Sequence, residues 1–157
     1  MSRQRLDYLI TGPAAPYRGG IADTQNELGK HLVRAGKKTQ LITFSKLYPN
    51  FLFPGKNQKR KENLNTPVIT LEIIHSYNPF RWKKAIQYIN KTNPKTIIFR
   101  YYTPFLAPLY GWIAKRTNDE IKKIALVDNW IPHERHFWDK IFNRFFGIQV
   151  QAFTTFS

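Results

Sequence analysis

Short apolar segments recur along the whole chain, and this recurrence is the feature that most constrains the fold. Predicted helices separate most of these segments, although a long loop, 45–66, stands between the second and third. This order is typical of a parallel sheet with helices on both faces. The predicted strands are 6–10, 39–44, 68–74, 96–99, 124–127 and 150–156. We therefore expect one doubly wound, Rossmann-like α/β domain in three layers over residues 1–157.

The predicted helices have readable starts and apolar faces. Asn78-Pro79 and Thr103-Pro104 each place a capping side chain before a proline at the first helical position. The first helix, 21–35, carries Ile21, Leu28, Leu32 and Ala35 at helical spacing. The third strand is apolar at successive positions, which predicts a central place in the sheet. The other predicted helices are 79–89, 104–116 and 132–147.

Composition excludes some classes of protein and favours others. The absence of cysteine excludes a disulfide framework and thiolate metal sites. No segment has the length and apolarity of a membrane span, and the start does not have the pattern of a secretory signal. Lys and Arg number 25 against 10 acidic residues, a formal net charge of +15. Such a charge attracts nucleic acid, anionic lipid or phosphorylated small molecules.

The loop from Gly12 to Gly20 follows the first predicted strand and leads into the first helix. Ligands of open α/β sheets bind at the carboxyl ends of the strands, and the amides at a helix start favour an anion. Gly19 and Gly20, with Arg18 beside them, are therefore candidates to bind a phosphate group. The spacing is not G-x-G-x-x-G, and a plain tight turn is the alternative.

Three further segments follow predicted strands at the same edge. Each has a plain structural alternative: a surface loop for the first, a core-edge tyrosine for the second, and a helix cap for the third. Hydroxyl, guanidinium, carboxylate and imidazole groups in these places suit sugar hydroxyls or phosphates. The candidates are Lys46 and Tyr48; Arg100 and Tyr101; and Asp128, Asn129, His133 and Glu134.

The segment 135–146 carries six large apolar residues with basic residues among them. A wide apolar stripe on a helix usually faces the core. The alternative is an interfacial helix, with aromatic rings in the headgroup layer and basic side chains on anionic lipid.

Two motifs together resemble a known family. They are Gly-Pro-Ala-Ala-Pro-Tyr-Arg-Gly-Gly-Ile-Ala from Gly12, and Asp-Asn-Trp-Ile-Pro-His-Glu from Asp128. With Ser-Lys-Leu-Tyr-Pro-Asn-Phe-Leu-Phe-Pro-Gly-Lys from Ser45, they resemble the N-terminal half of retaining glycosyltransferases of the GT4 type, which have the GT-B fold. The second motif is similar to that family's Asn-x-x-Pro-His-Glu segment.

The resemblance implies two Rossmann-like domains that face a cleft, with the acceptor mainly on this domain and the nucleotide-sugar mainly on the other. Gly19 and Gly20 would lie near the donor diphosphate. Asp128 stands where many members have a histidine, so only a donor-sugar contact is carried over to it. The family's paired glutamates belong to the C-terminal domain. We therefore expect a piece of a longer cytoplasmic or peripheral membrane enzyme of cell-envelope polysaccharide synthesis that uses no metal or other cofactor.

Two other readings stay open on the residues alone. The chain could be a basic α/β module that binds nucleic acid or an anionic surface, although the lysines are dispersed and no recognised nucleic-acid motif is present. It could also be a folded piece without activity of its own.

Overall fold

The computed structural model describes residues 5–49, 59, 65–131 and 136–156. Within them the chain forms a six-stranded, all-parallel sheet with the strand order β3-β2-β1-β4-β5-β6. The predicted Rossmann-like fold is therefore confirmed. The strands are β1 (Tyr8–Thr11), β2 (Thr39–Lys46), β3 (Ile69–His75), β4 (Thr96–Tyr101), β5 (Lys122–Val127) and β6 (Ala152–Thr154).

Four helices in the described part of the chain connect these strands. They are α1 (Gly20–Arg34), α2 (Pro79–Thr92), α3 (Ala107–Arg116) and α4 (Asp139–Gly147), and a 3-10 turn, Pro104–Leu106, precedes α3. Both predicted cap-then-proline starts are present. The Asn78 side chain accepts a hydrogen bond from the Phe80 amide, and the Thr103 side chain accepts one from the Phe105 amide. No described helix is long and apolar enough to cross a membrane.

The prediction that the third strand is central was wrong, because β3 lies at the edge of the sheet. Ile69, at its start, is 59% exposed, whereas Ile74 and His75, at its end, are buried. An apolar run shows that a strand packs on something but not whether strands flank it on both sides. In β3 the packing comes from β2 on one edge and from α2.

The buried face of α1 also differs from the predicted one. Ala22, Gln25, Asn26 and Gly29 are buried, whereas Ala35 lies outside the helix and is exposed. Leu28 and Leu32 are half-buried on the flank of the helix. A stripe of small and polar residues allows the helix to approach the sheet closely: a Cβ on Gly29 would lie 3.3 Å from a Leu41 methyl group.

The last helix begins at Asp139 rather than at Pro132; residues 132–135 lie outside the described part of the chain. His136 and Asp139 form a turn in front of it. The His136 amide donates to the Asp139 carboxylate at 2.8 Å, and the Asp139 amide donates to the His136 carbonyl at 3.1 Å. The apolar residues of this segment then divide: Phe146 is fully buried, whereas Phe137 and Ile141 are exposed.

Helices α3 and α4 pack closely through a glycine. The Phe145 ring lies where a Gly111 side chain would be, so a Cβ built on Gly111 would be 2.5 Å from that ring. Phe146, the next residue, contacts the rings of Phe99, Tyr101 and Tyr110 in the main core. The position of α4 therefore depends on the absence of a side chain at residue 111.

We expect Gly111→Ala to destabilise the fold by about 1–3 kcal/mol, because overpacking outweighs the gain in helix propensity. Gly147→Ala is the matched control: its Cβ would meet Trp130 at 3.4 Å, an ordinary contact. Urea unfolding of both variants measures the difference. Equal midpoints for the two variants would contradict the close packing of α3 on α4.

Candidate functional site

The order of the sheet fixes where a ligand site is expected. The chain runs from β1 outward to β2 and β3, and then returns to β4 on the other side of β1. The crevice of such a sheet opens at the carboxyl ends of the two strands where the order reverses, here β1 and β4. The loop after β1, the end of β4 and the residue after β5 all meet at this edge.

Arg100, on β4, holds this edge together. Its side chain is 2% exposed, and its guanidinium donates from Nε to Asp128 Oδ2 at 2.5 Å and from Nη2 to Asp128 Oδ1 at 2.6 Å. Nη2 also donates to the Thr24 hydroxyl at 2.9 Å. One side chain therefore connects β4, the end of β5 and the first turns of α1.

A bidentate pair of this kind is strong but needs complete pairing. Burial of a guanidinium costs free energy that a well-placed carboxylate offsets, and loss of either partner leaves a buried charge. Asp128 is 24% exposed and continues the ladder of the sheet through its amide, which donates to the Tyr101 carbonyl at 2.9 Å. Its carboxylate is thus fixed by Arg100 but still reaches the edge of the crevice.

Gly12 shows why the loop after β1 needs its first glycine. A Cβ at this position would lie 2.6 Å from Arg100 Cβ and 3.0 Å from both amide atoms of Gln25, and its φ is 153°. This glycine therefore allows the end of β1 to pass over Arg100. The Ala14 amide donates to the Thr43 hydroxyl and the Ala15 amide to the Asn26 side chain, which fix the next part of the loop.

Several buried polar atoms at this end of the sheet have no hydrogen-bond partner among the described residues. Buried polar groups in proteins are nearly always paired, so unpaired ones are unusual. On the α1 face of the sheet these atoms are Arg100 Nη1, Gln25 Nε2 and Oε1, and Asn26 Nδ2. Three of these four are donors, which suits oxygen-rich ligands. Thr11 Oγ1 and Tyr110 OH are also unpaired but belong to the opposite face.

Tyrosines form a second group close to this edge. The Tyr48 and Tyr102 hydroxyls are hydrogen-bonded at 3.0 Å, and the Tyr48 ring packs on Phe105. Burial raises the pKa of Tyr48, Tyr102 and Tyr110, the last two well above the ordinary value. These hydroxyls therefore stay protonated at neutral pH and can donate or accept hydrogen bonds, but they cannot act as charged bases.

The second half of the loop opens to solvent. Gly19 has a φ of 115° and precedes α1 without a side-chain cap, and a Cβ on Gly19 or Gly20 would meet nothing within 4 Å. Arg18 beside them is exposed. The start of α1 can therefore be approached by a ligand, although Asp23 in the first turn brings a negative charge that an anion would have to overcome.

The predicted site residues do not all lie together. Arg100 and Tyr101 belong to β4 rather than to a loop after it. Tyr101 is fully buried: its hydroxyl donates a hydrogen bond to the Asn143 side chain, and its ring stacks on Phe146. Lys46 ends β2 and is exposed, and Asn129 is half-buried. His133 and Glu134 lie outside the described residues. Among the residues that are described, no three His, Asp or Glu side chains converge as metal ligands would.

The sequence did not point to three residues that contact Arg100 or its surroundings. Thr24 and Gln25 lie on α1, and the ring of Phe156, after β6, lies 4.7 Å from the Arg100 guanidinium. A signal for Gln25 was present: Ala22, Gln25, Asn26 and Gly29 have helical spacing, and polar residues on an inner helix face indicate buried partners. Thr24 and Phe156 had no such signal.

No protein-family model matches the chain, and no curated protein does. Solved structures do match. An α-glucosyltransferase in complex with UDP and a mismatched DNA 13-mer has a TM-score of 0.54 at 9% identity, over 98% of this chain and 39% of that one. MurG of Acinetobacter baumannii has a TM-score of 0.54 at 13% identity, over 94% and 40%. This chain therefore spans about two fifths of each of these transferases.

A third solved structure matches about as well but is not described as a transferase. The TrkA-N domain of the inner membrane protein ybaL from Escherichia coli has a TM-score of 0.50 at 11% identity, over 97% of this chain and 89% of that domain. Likeness at such low identity concerns the fold. The chain thus has a Rossmann-like fold that also occurs in glycosyltransferases of the GT-B class.

Proposed function

We infer that this chain is the acceptor-side, N-terminal domain of a GT4-type glycosyltransferase that moves a sugar from a nucleotide-sugar with retention of configuration. The observation that carries the proposal is the Arg100 cluster: a buried guanidinium paired with Asp128, with unpaired polar atoms on the adjoining part of α1, at the reversal point of the sheet. Ligands of this fold class bind at that point. The structural likeness to two glycosyltransferases supports the same reading.

The donor would approach the open start of α1. Gly19 and Gly20 leave room for a diphosphate, with Arg18 beside them, and Asp128 would accept a hydrogen bond from the donor sugar. Helix-start amides and basic side chains would stabilise the charge that develops on the leaving diphosphate, so the proposal needs no metal.

The acceptor would lie towards Tyr48, Lys46 and Asn129. Protonated tyrosine hydroxyls suit sugar hydroxyls, and the net charge of +15 suits an anionic or lipid-linked glycan such as a precursor of a cell-envelope polysaccharide. We place this chemistry in the cytoplasm or at the inner face of a membrane.

A second domain completes the proposal. The nucleotide-sugar would bind mainly to this C-terminal domain. Without that domain, the chain described here would be inactive or nearly so. The span of about two fifths of the matched transferases agrees with this division.

The charge favours one other candidate function, a basic module that binds nucleic acid or another polyanion. Its signature would be polyanion binding that weakens steeply with salt, because such binding releases counterions. The absence of sugar transfer by the complete protein would support this candidate.

The main test uses the complete protein that carries this sequence. We expect it to hydrolyse or transfer sugar from at least one member of a panel of UDP-, GDP-, ADP- and dTDP-sugars, with products measured by chromatography. We expect the 157-residue chain alone to have little or no turnover. A complete, folded protein that turns over none of these donors would refute the proposal.

A second prediction concerns Asp128. Asp128→Asn removes the charge that balances Arg100, so we expect a loss of about 3 kcal/mol of stability, near the lower end of the cost of breaking a buried pair. We also expect at least a tenfold lower donor turnover by the complete protein, roughly the loss of one hydrogen bond to a charged group.

Asp7→Asn is the matched control for Asp128→Asn. Asp7 pairs with Lys95 at 2.7 Å at the opposite end of β1, where the lysine is largely exposed. We expect little change in melting temperature or turnover, because exposed ion pairs contribute little. Equal effects of the two substitutions would contradict a special role for the Arg100 cluster.

A further inference from the structure

The outward side of α4 combines large apolar residues with basic ones. Lys140, Ile141 and Arg144 lie on one face of α4, and Phe137 in the turn before the helix and Ile148 directly after it continue the same i, i+3, i+4, i+7, i+11 spacing. We call this set the outer α4 face. Phe137 is 83% exposed, Ile141 65% and Ile148 69%, and both basic residues are exposed. Fold stability does not account for this face, because the core contacts of α4 are made by Phe146 and its neighbours on the opposite side.

The acidic residue of α4 does not neutralise this face. The Asp139 side chain is only 10% exposed, and its carboxylate accepts a hydrogen bond from the His136 amide in the turn before the helix. The described part of α4 therefore presents two positive charges outward and no negative one.

A groove lies beside the outer α4 face and shares Phe137, Lys140 and Arg144 with it. The groove has a volume of about 600 Å³, and two basic groups and one shielded acidic group line it together with apolar and polar side chains. Besides the three shared residues, the lining consists of Trp130, Ile131, His136, Asp139 and Asn143. Aromatic and aliphatic walls with basic side chains at hand suit a molecule that has both an apolar part and a negative charge.

Helix α3, which packs on α4, also carries an exposed aromatic residue beside a basic one. Helix α3 packs on α4 through the contact of Gly111 with Phe145. Trp112, which follows Gly111 in α3, is 38% exposed. The Arg116 guanidinium lies 4.4 Å from the centre of the Trp112 ring. An exposed tryptophan with an arginine on its face is typical of the boundary between water and lipid headgroups.

We propose that the outer α4 face docks on a bilayer surface that contains anionic phospholipid. Phe137, Ile141 and Ile148 insert at the level of the headgroups, and Lys140 and Arg144 pair with lipid phosphates. A protein partner fits less well, because lysine is depleted in the cores of protein interfaces. The proposal rests on this face alone and does not depend on the proposed sugar transfer.

The test is sedimentation of the complete protein that carries this sequence with vesicles of phosphatidylcholine, with and without phosphatidylglycerol. We expect binding to the anionic vesicles only. Lys140→Gln with Arg144→Gln is expected to weaken it about 30-fold, since each basic residue near the surface contributes about a factor of five. Phe137→Ser with Ile141→Ser is expected to weaken it at least about tenfold, and both pairs should keep the wild-type melting temperature because all four residues are exposed.

Helix α2 provides matched controls, because it carries an equivalent set of exposed residues: Phe80, 95% exposed, with Lys83 and Lys84. Lys83→Gln with Lys84→Gln changes the net charge by the same amount as the α4 pair, and Phe80→Ser removes a comparable ring. We expect these controls to retain most of the binding. Equal losses from the α2 and α4 variants would overturn the proposal in favour of general attraction by charge.

Fluorescence gives a second readout. Brominated lipid should quench Trp138, which is 41% exposed in the turn before α4, and Trp138→Phe should remove a large part of that quenching. Quenching that Trp138→Phe leaves unchanged would overturn the docking orientation. Binding that survives both α4 double variants would mean that another surface binds the vesicles and would overturn the proposal.

Discussion

The bidentate pair of Arg100 and Asp128 is the interaction on which this end of the molecule depends. A buried guanidinium requires a partner, and the partner lies at the end of the neighbouring strand, so the pair fixes how β4 and β5 end. Its further contact with Thr24 sets the start of α1, and the space that the arginine occupies leaves no room for a side chain at Gly12. The ends of β4 and β5, the start of α1 and the glycine at position 12 look separate in the sequence, but all of them depend on contacts with one buried arginine.

The fold could be predicted because its signals are local. Apolar strands, proline-marked helix starts and turn glycines each lie within a few residues, and they give the right elements in the right order. The errors concern relations between distant elements. The edge position of β3 follows from the order of strands. The inward position of Gln25 depends on the contact of Gly12 with Arg100, a residue on a strand far along the chain.

The candidate site could be predicted only as a region. Parallel strands end at one edge, so segments that follow them meet there whatever their composition. Which side chains point into the crevice depends on where each strand ends: β4 continues two residues past its predicted end, to Tyr101, and that tyrosine lies in the core, where its hydroxyl donates a hydrogen bond to Asn143. Since the same fold occurs in glycosyltransferases and in a TrkA-N domain, the side chains at this edge carry the argument for function.

The close contact between Gly12 and Arg100 has a consequence for how this sequence can change over generations. The atom that a side chain at position 12 would meet is the Cβ of residue 100, which every residue except glycine has, so a shorter side chain at position 100 does not make room for it. Position 12 should therefore stay glycine among homologous sequences, including those in which positions 100 and 128 change together. An alignment in which position 12 varies freely while arginine stays at position 100 would show that the backbone can move enough to separate them.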